Sequence, residues 1–522
     1  MKNKMILKLV LFFIGSSIHL NGFSQNNCKT VIGYYPNWQW YDRGKLVNPE
    51  TIIYDNYSIL NYSFFSPEAD GSISLTDPWA DKNLLLGTIN WSSGVPAGYD
   101  SSYDFGDPAY HNPGTSLIYH AHQNDTKVLA SIGGWTLSND FPSIASNPVT
   151  RANFAHYCNE LIRVYDFDGI DIDWEYPGFP DHNGTPADYY TYTELLSEIR
   201  DSLDVLEIVS GKPLMLTAAV GAAPDRMDDV NWAEVSTILD YINLMSYDFF
   251  GTWDPETNHN GPLYAPAVGD STFNCHSAVY RLTSEYNVPS DRINLGIPYY
   301  GRSVTTNGAP TLHGTHTGTV DGATWSEDLG TPLYYNILLK SHLFTEHWDN
   351  NAHVPYLLGA NGLNSFLSYD NDVSIKEKGQ YVVDHNLAGV IIWEITGDYI
   401  ETAPGSGIIS GTPLTDSLNQ SLCNNPNNGN SGNGTDSSSA FMDEYDPNQV
   451  LLFPNPAGNF VQIKSDGSFR PVAVHNQLGK IVLRLENNQE VVDISSLPDG
   501  IYYLEVQNKK QVRQFIKFAK QE

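Results

Sequence analysis

The stretch Phe167-Asp168-Gly169-Ile170-Asp171-Ile172-Asp173-Trp174-Glu175-Tyr176-Pro177 places four acidic residues inside an apolar run. A helical pattern precedes it and a loop rich in Pro and Gly follows it, so we predict a strand that enters a loop. Strand side chains alternate between two faces, which puts Asp171, Asp173 and Glu175 on one face at intervals of about 7 Å. Asp168 has the wrong parity for this row, and we interpret it as a structural hydrogen-bonding residue at the base of the strand.

The acidic row indicates proton-transfer chemistry. Three neighbouring carboxyl groups cannot all stay ionised once they are partly removed from water, so at least one should hold a proton at neutral pH. The alternatives are a calcium site or a solvated acidic edge. Calcium loops place Asn and Gly between their Asp residues, whereas this row alternates with Ile and Trp. We therefore favour a catalytic acid.

Length and composition bound the protein class. The chain has 522 residues, which fits a (β/α)8 barrel plus a small second domain. Its net charge of −32 argues against nucleic acid as a partner, because phosphate binding needs a basic surface. The aromatic content of 12% suits a surface that stacks on sugar rings, although core packing would explain many of these side chains equally well.

The N-terminal residues 1–24 have the pattern of a signal peptide, with three lysines, a short apolar run and a small polar end. No later apolar run approaches the roughly 20 residues that a membrane span requires. The four cysteines of an exported chain could form two, one or no disulfides. Cys28 and Cys423 flank the predicted barrel and are a possible pair, whereas we expect Cys158 and Cys275 to be buried free thiols in helices.

Eight short β-type runs alternate with helical patterns, which predicts a closed (β/α)8 barrel over residues 25–423. The predicted strands are Val31–Tyr35, Ser58–Phe64, Lys127–Ile132, Gly169–Trp174, Leu214–Ala219, Tyr241–Ser246, Ile293–Ile297 and Ala388–Trp393. Active sites of such barrels lie at the C-terminal ends of the strands. Aromatic and polar residues gather after five of these strands, which supports a ligand-binding surface there.

These clusters resemble, in order, the motifs of glycoside hydrolase family 18, the chitinases and their relatives. The acidic stretch resembles the D-x-x-D-x-D-x-E signature, and S-x-G-G-W at 131–135, M-x-Y-D at 245–248, G-x-P-x-Y-G-R at 296–302 and a Trp on the last strand also match. The resemblance covers about Val31 to Asp398. It implies a secreted enzyme that hydrolyses β-1,4-linked N-acetylglucosamine polymers.

In that family the 2-acetamido group of the substrate serves as the nucleophile, and configuration is retained. The resemblance then implies that Glu175 is the general acid, that Asp173 binds the acetamido N–H, that Asp171 shares its proton with Asp173 and that Tyr247 holds the acetamido oxygen. The expected substrate-binding residues are Tyr34, Trp135, Tyr176, Met245, Asp248, Trp253, Arg302 and Trp393. The expected structural residues of the motifs are Asp168, Ser131, Gly133 and Gly134. We expect no cofactor and no metal, because His122, His259 and His385 lack ligand spacing and fit surface positions.

Residues 303–365 occupy the position of the small α+β insertion of many family chitinases, where it would wall one side of the cleft. A decorated surface loop is the alternative.

Residues 424–446 are rich in Asn, Gly and Ser and predict a linker. Residues 447–522 show short alternating strands and predict a small β-sandwich.

This last domain could be a carbohydrate-binding module. Its F-P-N-P and L-P-D-G-I-Y-Y-L segments and basic ending instead resemble the C-terminal sorting domain of the type IX secretion system, which we favour. The expected partners are therefore chitin or chito-oligosaccharides and the secretion machinery, and we expect a monomer. Two alternative functions are open: an endo-β-N-acetylglucosaminidase that acts on N-glycans, and a chitin-binding lectin without catalysis.

Overall fold

The structure is a computed structural model that describes residues 28–90 and 108–423. Of the C-terminal part it describes residues 451–453, 460–464, 469–476, 480–485, 491–498, 500–508 and 513–520. The predicted signal peptide 1–24 and the predicted linker 424–446 lie outside the described residues. The chain divides into two compact units, with the division between Gly429 and Asn430.

Within residues 28–90 and 108–423, eight parallel strands form a closed barrel, as predicted. They are β1 (Thr30–Pro36), β2 (Ile59–Pro67), β4 (Lys127–Gly133), β5 (Gly169–Asp173), β6 (Met215–Gly221), β7 (Tyr241–Met245), β8 (Ile293–Pro298) and β13 (Gly389–Trp393). Each strand pairs in parallel with its neighbours, and β1 closes the barrel by pairing with both β2 and β13. A short strand, β3 (Ile73–Leu75), runs antiparallel to the end of β2.

Helices cover the outside of the barrel. They are α1 (Pro78–Leu85), α2 (Leu117–Gln123), α3 (Phe141–Ser146), α4 (Pro148–Tyr165), α5 (Asp188–Ser210), α6 (Pro224–Met227), α7 (Trp232–Ile238), α8 (Cys275–Tyr280), α10 (Asp372–Asp384) and α11 (Pro413–Cys423). A further helix, α9 (Tyr334–Lys340), belongs to the insertion that follows β8. Apolar side chains on the outer face of the strands pack against these helices. Trp174, for example, stacks on Phe141 of α3 with ring centroids 5.2 Å apart.

The chain between β8 and α10 builds a four-stranded antiparallel sheet with helix α9, which confirms the predicted α+β insertion. Its strands are β9 (Arg302–Thr305), β10 (Phe344–Asp349), β11 (Val354–Gly359) and β12 (Ser365–Ser368), in the order β10-β11-β12-β9. The predicted surface position of His259 is wrong. This side chain is 1% exposed, and its Nε2 lies 2.9 Å from the Asp349 carboxylate of the insertion.

After Trp393, a short hairpin of β14 (Ile400–Glu401) and β15 (Ile409–Gly411) leads into α11. A disulfide joins Cys28, just before β1, to Cys423, at the end of α11. Cys158 and Cys275 are buried free thiols. No helix among the described residues has the length and apolar character that a membrane span requires.

The C-terminal unit is a small β-sandwich, as predicted. One sheet contains β16 (Leu451–Phe453), β17 (Phe460–Lys464) and β20 (Val491–Asp493). The other contains β18 (Phe469–Asn476), β19 (Ile481–Arg484), β21 (Gly500–Asn508) and β22 (Arg513–Lys520). Buried side chains of both sheets, including Val461, Val492, Leu504 and Phe518, form one core.

Candidate active site

The acidic row lies on β5 and continues past its C-terminal end. Asp171 and Asp173 are 0% and 3% exposed, and Glu175 is partly exposed in the loop that follows. The neighbouring strands pair in parallel with β5, so that Asp171 lies beside Ser131 of β4 and Thr217 of β6. The row therefore rises from the barrel interior to the open face, with Glu175 nearest to solvent.

Asp171 is held by four hydrogen bonds. Its Oδ2 accepts from Tyr34 and from Ser131, each at 2.8 Å, and its Oδ1 accepts from Thr217 at 2.5 Å and from Asn243 at 3.1 Å. Burial raises the pKa of Asp171 above its usual range, and these four hydrogen bonds oppose that rise without cancelling it. Both oxygens of Asp171 thus accept hydrogen bonds from other strands, and the proton that it would share with Asp173 stays a prediction.

Asp173 and Glu175 have strongly raised pKa values. Burial, followed by the charges of Glu175 and Asp171, raises the pKa of Asp173 well above its usual range. Burial, followed by the charge of Asp248, raises the pKa of Glu175 to about 7, while a hydrogen bond from Tyr176 opposes this rise. The Oδ1 atom of Asp173 is buried without a hydrogen-bond partner among the described residues. This part of the row can therefore carry a proton at neutral pH and can accept a hydrogen bond from a ligand.

Close backbone contacts fix the row in place. Gly133 and Gly134 have φ values of +112° and +89°, and a Cβ at Gly133 would lie 2.2 Å from the carbonyl oxygen of Asp173. The Gly134 N–H donates to that same oxygen at 2.8 Å. Ser138, which the sequence analysis missed, accepts from the Glu175 N–H at 2.9 Å and donates to the Gly134 carbonyl. Only glycine fits this approach of β4 to the acid row.

Residues from the end of β7 and from the chain after β8 face the row. Met245 and Tyr247 are nearly buried in the barrel mouth, in the same apolar cluster as Ala219 and Trp393. The exposed Asp248 accepts from Tyr300 at 2.5 Å and pairs with Arg302 at 2.5 Å. Trp253 is 61% exposed and lies under the Arg302 guanidinium, 5.0 Å from its carbon. The structure thus brings these predicted residues together on one side of the cleft.

Two aromatic groups flank the acid row. Trp393 stacks on Phe64 at 5.6 Å and lies 6.3 Å from Trp38, which is 47% exposed. Trp135, which is 51% exposed, packs against Phe179 at 5.6 Å. Trp38 and Phe64 were not predicted as site residues, although Trp38 follows the first strand in the same manner as the predicted aromatics.

His182 and Tyr176 complete the group around Trp135. The His182 ring lies 4.6 Å from Trp135, and its Nδ1 hydrogen-bonds the Glu175 carbonyl oxygen at 2.5 Å. The Tyr176 ring is 6.4 Å from Trp135. His182 was also missed, because a single His in a loop carries no signal in the sequence.

One predicted substrate contact needs correction. Tyr34 is 1% exposed, and its hydroxyl donates to Asp171, so almost no surface is left for a sugar. Its position two residues before the end of β1 places it one layer below the barrel mouth.

Asp168 accepts from the Val128 N–H and from His122 at the base of the strand. Among the residues that the structure describes, no group of three or more His, Cys, Asp or Glu side chains could hold a metal ion.

Comparisons with known proteins agree with this geometry. Residues 30–398 match the family model described as Glycosyl hydrolases family 18, and residues 451–520 match that of the Secretion system C-terminal sorting domain, which indicates secretion. Chitinase A1 of Niallia circulans is 32% identical over 406 residues, which cover 71% of this chain but only 57% of that protein. Endochitinase 1 of Metarhizium robertsii is 31% identical, with 70% of this chain and 80% of that protein covered. The solved structure of chitinase ChiA74 from Bacillus thuringiensis superposes with a TM-score of 0.64 at 25% identity, over 94% of this chain and 84% of that chain.

Proposed function

The chain belongs to glycosyl hydrolase family 18, and from this premise we propose that it is a secreted chitinase in which Glu175 is the general acid. The proposed substrates are polymers and oligomers of β-1,4-linked N-acetylglucosamine. The observation that carries the proposal is the row of Asp171, Asp173 and Glu175 on one strand, with the pKa of Glu175 raised to about 7 at its open end. Glycosidic bond cleavage needs a proton donor with a pKa near the working pH.

The arrangement of carboxylates favours the substrate's own acetamido group as the nucleophile. The three acids of the row lie on one side of the cleft, so they cannot attack the anomeric carbon from the opposite face. Asp248 approaches from β7, but it is occupied by Tyr300 and Arg302. The acetamido carbonyl oxygen can attack its own anomeric carbon with retention of configuration.

In the first step, the carboxylic acid of Glu175 donates its proton to the glycosidic oxygen while the acetamido oxygen bonds to the anomeric carbon. The bond to the leaving sugar breaks and an oxazolinium ion forms. Asp173, whose Oδ1 has no hydrogen-bond partner among the described residues, accepts the acetamido N–H and balances the positive charge. The Tyr247 hydroxyl donates a hydrogen bond to the acetamido oxygen. Burial raises the pKa of Tyr247, so this hydroxyl keeps its proton.

In the second step, the Glu175 carboxylate takes a proton from water, and the resulting hydroxide oxygen bonds to the anomeric carbon as the oxazolinium ring opens. Glu175 is then protonated again, and the anomeric configuration of the product matches that of the substrate. The exposed side chains of Trp38, Trp135 and Trp253 and the partly exposed Trp393 suit stacking on sugar rings.

The test is Glu175→Gln, which removes the proton but retains the shape of the side chain. We expect less than a few per cent of wild-type release of reducing ends from colloidal chitin, with sedimentation binding to chitin retained. A variant that keeps substantial turnover would refute the acid assignment. A wild type that binds chitin without cleaving it would indicate a lectin, and cleavage of a high-mannose glycopeptide instead of chitin would indicate an N-glycan endoglycosidase.

A further inference from the structure

The barrel interior below the open face carries a polar layer. Barrel interiors are usually filled by branched aliphatic side chains. Here five strands that are adjacent in the barrel, β4 to β8, each contribute a fully buried polar side chain to one hydrogen-bonded group around Asp171. These residues are Ser131, Asp171, Thr217, Asn243 and Asn294. They lie beneath the cleft, so their contacts act on the acid row and not on a sugar.

Two asparagines in this layer form a chain that ends on Asp171. Asn294 of β8 donates from Nδ2 to Oδ1 of Asn243 on β7 at 2.9 Å. Asn243 in turn donates from Nδ2 to Oδ1 of Asp171 at 3.1 Å. A carboxamide has one donor end and one acceptor end. Because Asn294 occupies the acceptor end of Asn243, the donor end of Asn243 must face Asp171.

Asn243 differs in kind from the other three partners of Asp171. Tyr34, Ser131 and Thr217 bind through hydroxyl groups, which can rotate and accept a hydrogen bond from a protonated Asp171. The N–H₂ group of Asn243 can only donate, and it binds a carboxylate more strongly than a neutral acid. If Asn243 were flipped, its carbonyl oxygen would face Asp171 and would favour the protonated form instead.

We propose that Asn243 and Asn294 are positioning residues for hydrolysis: Asn294 orients the amide of Asn243, and this orientation selects the ionised form of Asp171. This inference rests on the proposed function. The charge on Asp171 keeps the proton of the row away from Asp171 and toward Glu175, where the acid step uses it. The coupling to Asp173 is consistent with this role, because the charge of Asp171 contributes to the raised pKa of Asp173.

The other titratable groups around the row do not supply this selection. Those that face Asp171 are Asp173 on the same strand, Tyr34 on β1, Tyr192 on α5 and Tyr247 after β7. Those that face Glu175 are Asp173, Tyr176, Tyr247 and Asp248. His182 also lies against Glu175, through its hydrogen bond to the Glu175 carbonyl oxygen, and it is unchanged in every variant used below. Burial raises the pKa of each of these tyrosines, so they stay neutral in the working range.

The test is Asn294→Leu in the full chain, with the pH dependence of kcat/KM measured on chitohexaose. The substitution removes the hydrogen bond to Oδ1 of Asn243, so the amide of Asn243 can flip and turn its carbonyl oxygen toward Asp171. The pKa of Asp171 then rises, and the negative charge that Asp173 and Glu175 experience becomes smaller. The pKa of Glu175 then falls. We expect the alkaline limb of the profile to move to lower pH by about half a unit or more.

The matched control is Asn61→Leu. Asn61 is a fully buried amide of β2, and neither end of it has a hydrogen-bond partner among the described residues. This variant makes the same chemical change elsewhere in the barrel, and the alkaline limb of its kcat/KM profile should lie at the wild-type pH. An Asn294→Leu profile that coincides with that of Asn61→Leu, or that moves to higher pH, would overturn the inference.

If Asn294→Leu does not fold, Asn243→Ser decides the question. It replaces the N–H₂ group, which can only donate a hydrogen bond to Asp171, by a hydroxyl group, which can donate or accept one. The alkaline limb of kcat/KM should again move to lower pH. An unchanged limb would overturn the inference. A wild type that releases no reducing ends from chitohexaose would instead refute the proposed function, so the two failures are distinct.

Discussion

Glu175 connects the electrostatics of the site to its chemistry. Its pKa of about 7 means that the protonated fraction falls as pH rises through 7. Since kcat/KM reports the pKa values of the free enzyme, activity should fall about tenfold per pH unit on the alkaline side. The charge of Asp248 contributes to this raised pKa, and Arg302 pairs with Asp248 at 2.5 Å.

Two substitutions should therefore move the alkaline limb of kcat/KM in opposite directions. Asp248→Asn removes a negative charge near Glu175, so the pKa of Glu175 falls and the limb moves to lower pH. Arg302→Leu leaves Asp248 without its cation, so the pKa of Glu175 rises and the limb moves to higher pH. Each shift should be about half a unit or more. General damage to the site would lower kcat/KM of both variants without moving their alkaline limbs in opposite directions. Limbs that move in the same direction would contradict the proposed effect of the Asp248 charge on Glu175.

At the residue scale, the sequence predicted the side chains whose roles follow from local alternation. Asp171, Asp173 and Glu175 could be placed because every second residue of a strand shares a face. The alternation shows that the Tyr34 side chain points into the barrel but not how far it lies below the barrel mouth. The sequence therefore predicted a contact with a sugar and not the hydrogen bond to Asp171. Ser138 and Asn243 were missed because their roles depend on partners 37 and 72 residues away.

At the element scale, the eight barrel strands could be predicted because buried parallel strands form apolar runs bounded by turn residues. The bounds differ where tertiary contacts extend or shorten an element. Strand β2 continues to Pro67, beyond the predicted Phe64, because Phe65 to Pro67 pair with β3. Helix α8 begins at Cys275 because the side chain of Asn274 caps it by accepting from the Ser277 N–H.

A buried ion pair ties α10 to the chain that follows β12 of the insertion. Lys378 and Asp370 are 0% and 1% exposed and lie 2.7 Å apart. Lys378→Met would leave the Asp370 charge buried and unpaired, so we expect the free energy of unfolding to fall by about 3–5 kcal/mol. Lys376→Met, on an exposed position of the same helix, is the control and should change it by less than about 0.5 kcal/mol.

Chemical denaturation of both variants measures this difference. The double variant Lys378→Met and Asp370→Leu should recover part of the loss, because it removes both charges. Equal stability of the Lys378→Met and Lys376→Met variants would show that the pair does not stabilise this junction.

At the scale of the whole molecule, one disulfide connects the two ends of the catalytic unit, 395 residues apart in sequence. A crosslink over so long a loop restricts the unfolded chain, so Cys28→Ser should lower the free energy of unfolding of this unit by about 2–5 kcal/mol. Thermal melts with and without a reductant test this. The reductant should lower the Tm of the wild type but not that of the Cys28→Ser variant. Identical Tm values for the wild type and the variant without reductant would contradict the prediction.

The division of the chain into two units was predicted from composition, because Asn, Gly and Ser cannot form a core. The exact bounds of the linker stay a prediction, since residues 424–446 lie outside the described residues. The sorting function of the second unit could be predicted only from its motifs, because a small β-sandwich by itself fits many functions.

We propose that the substrate's acetamido group is the nucleophile, and digestion of partly deacetylated chitosan distinguishes this from attack by a carboxylate of the protein. The full-length enzyme digests the polymer, and the sugars at the new reducing ends are identified by sequencing. If the acetamido group is the nucleophile, cleavage requires an acetyl group on the sugar at the reacting position, and we expect new reducing ends that are almost all N-acetylglucosamine. A mixture of acetylated and free amines that reflects only the composition of the polymer would contradict it.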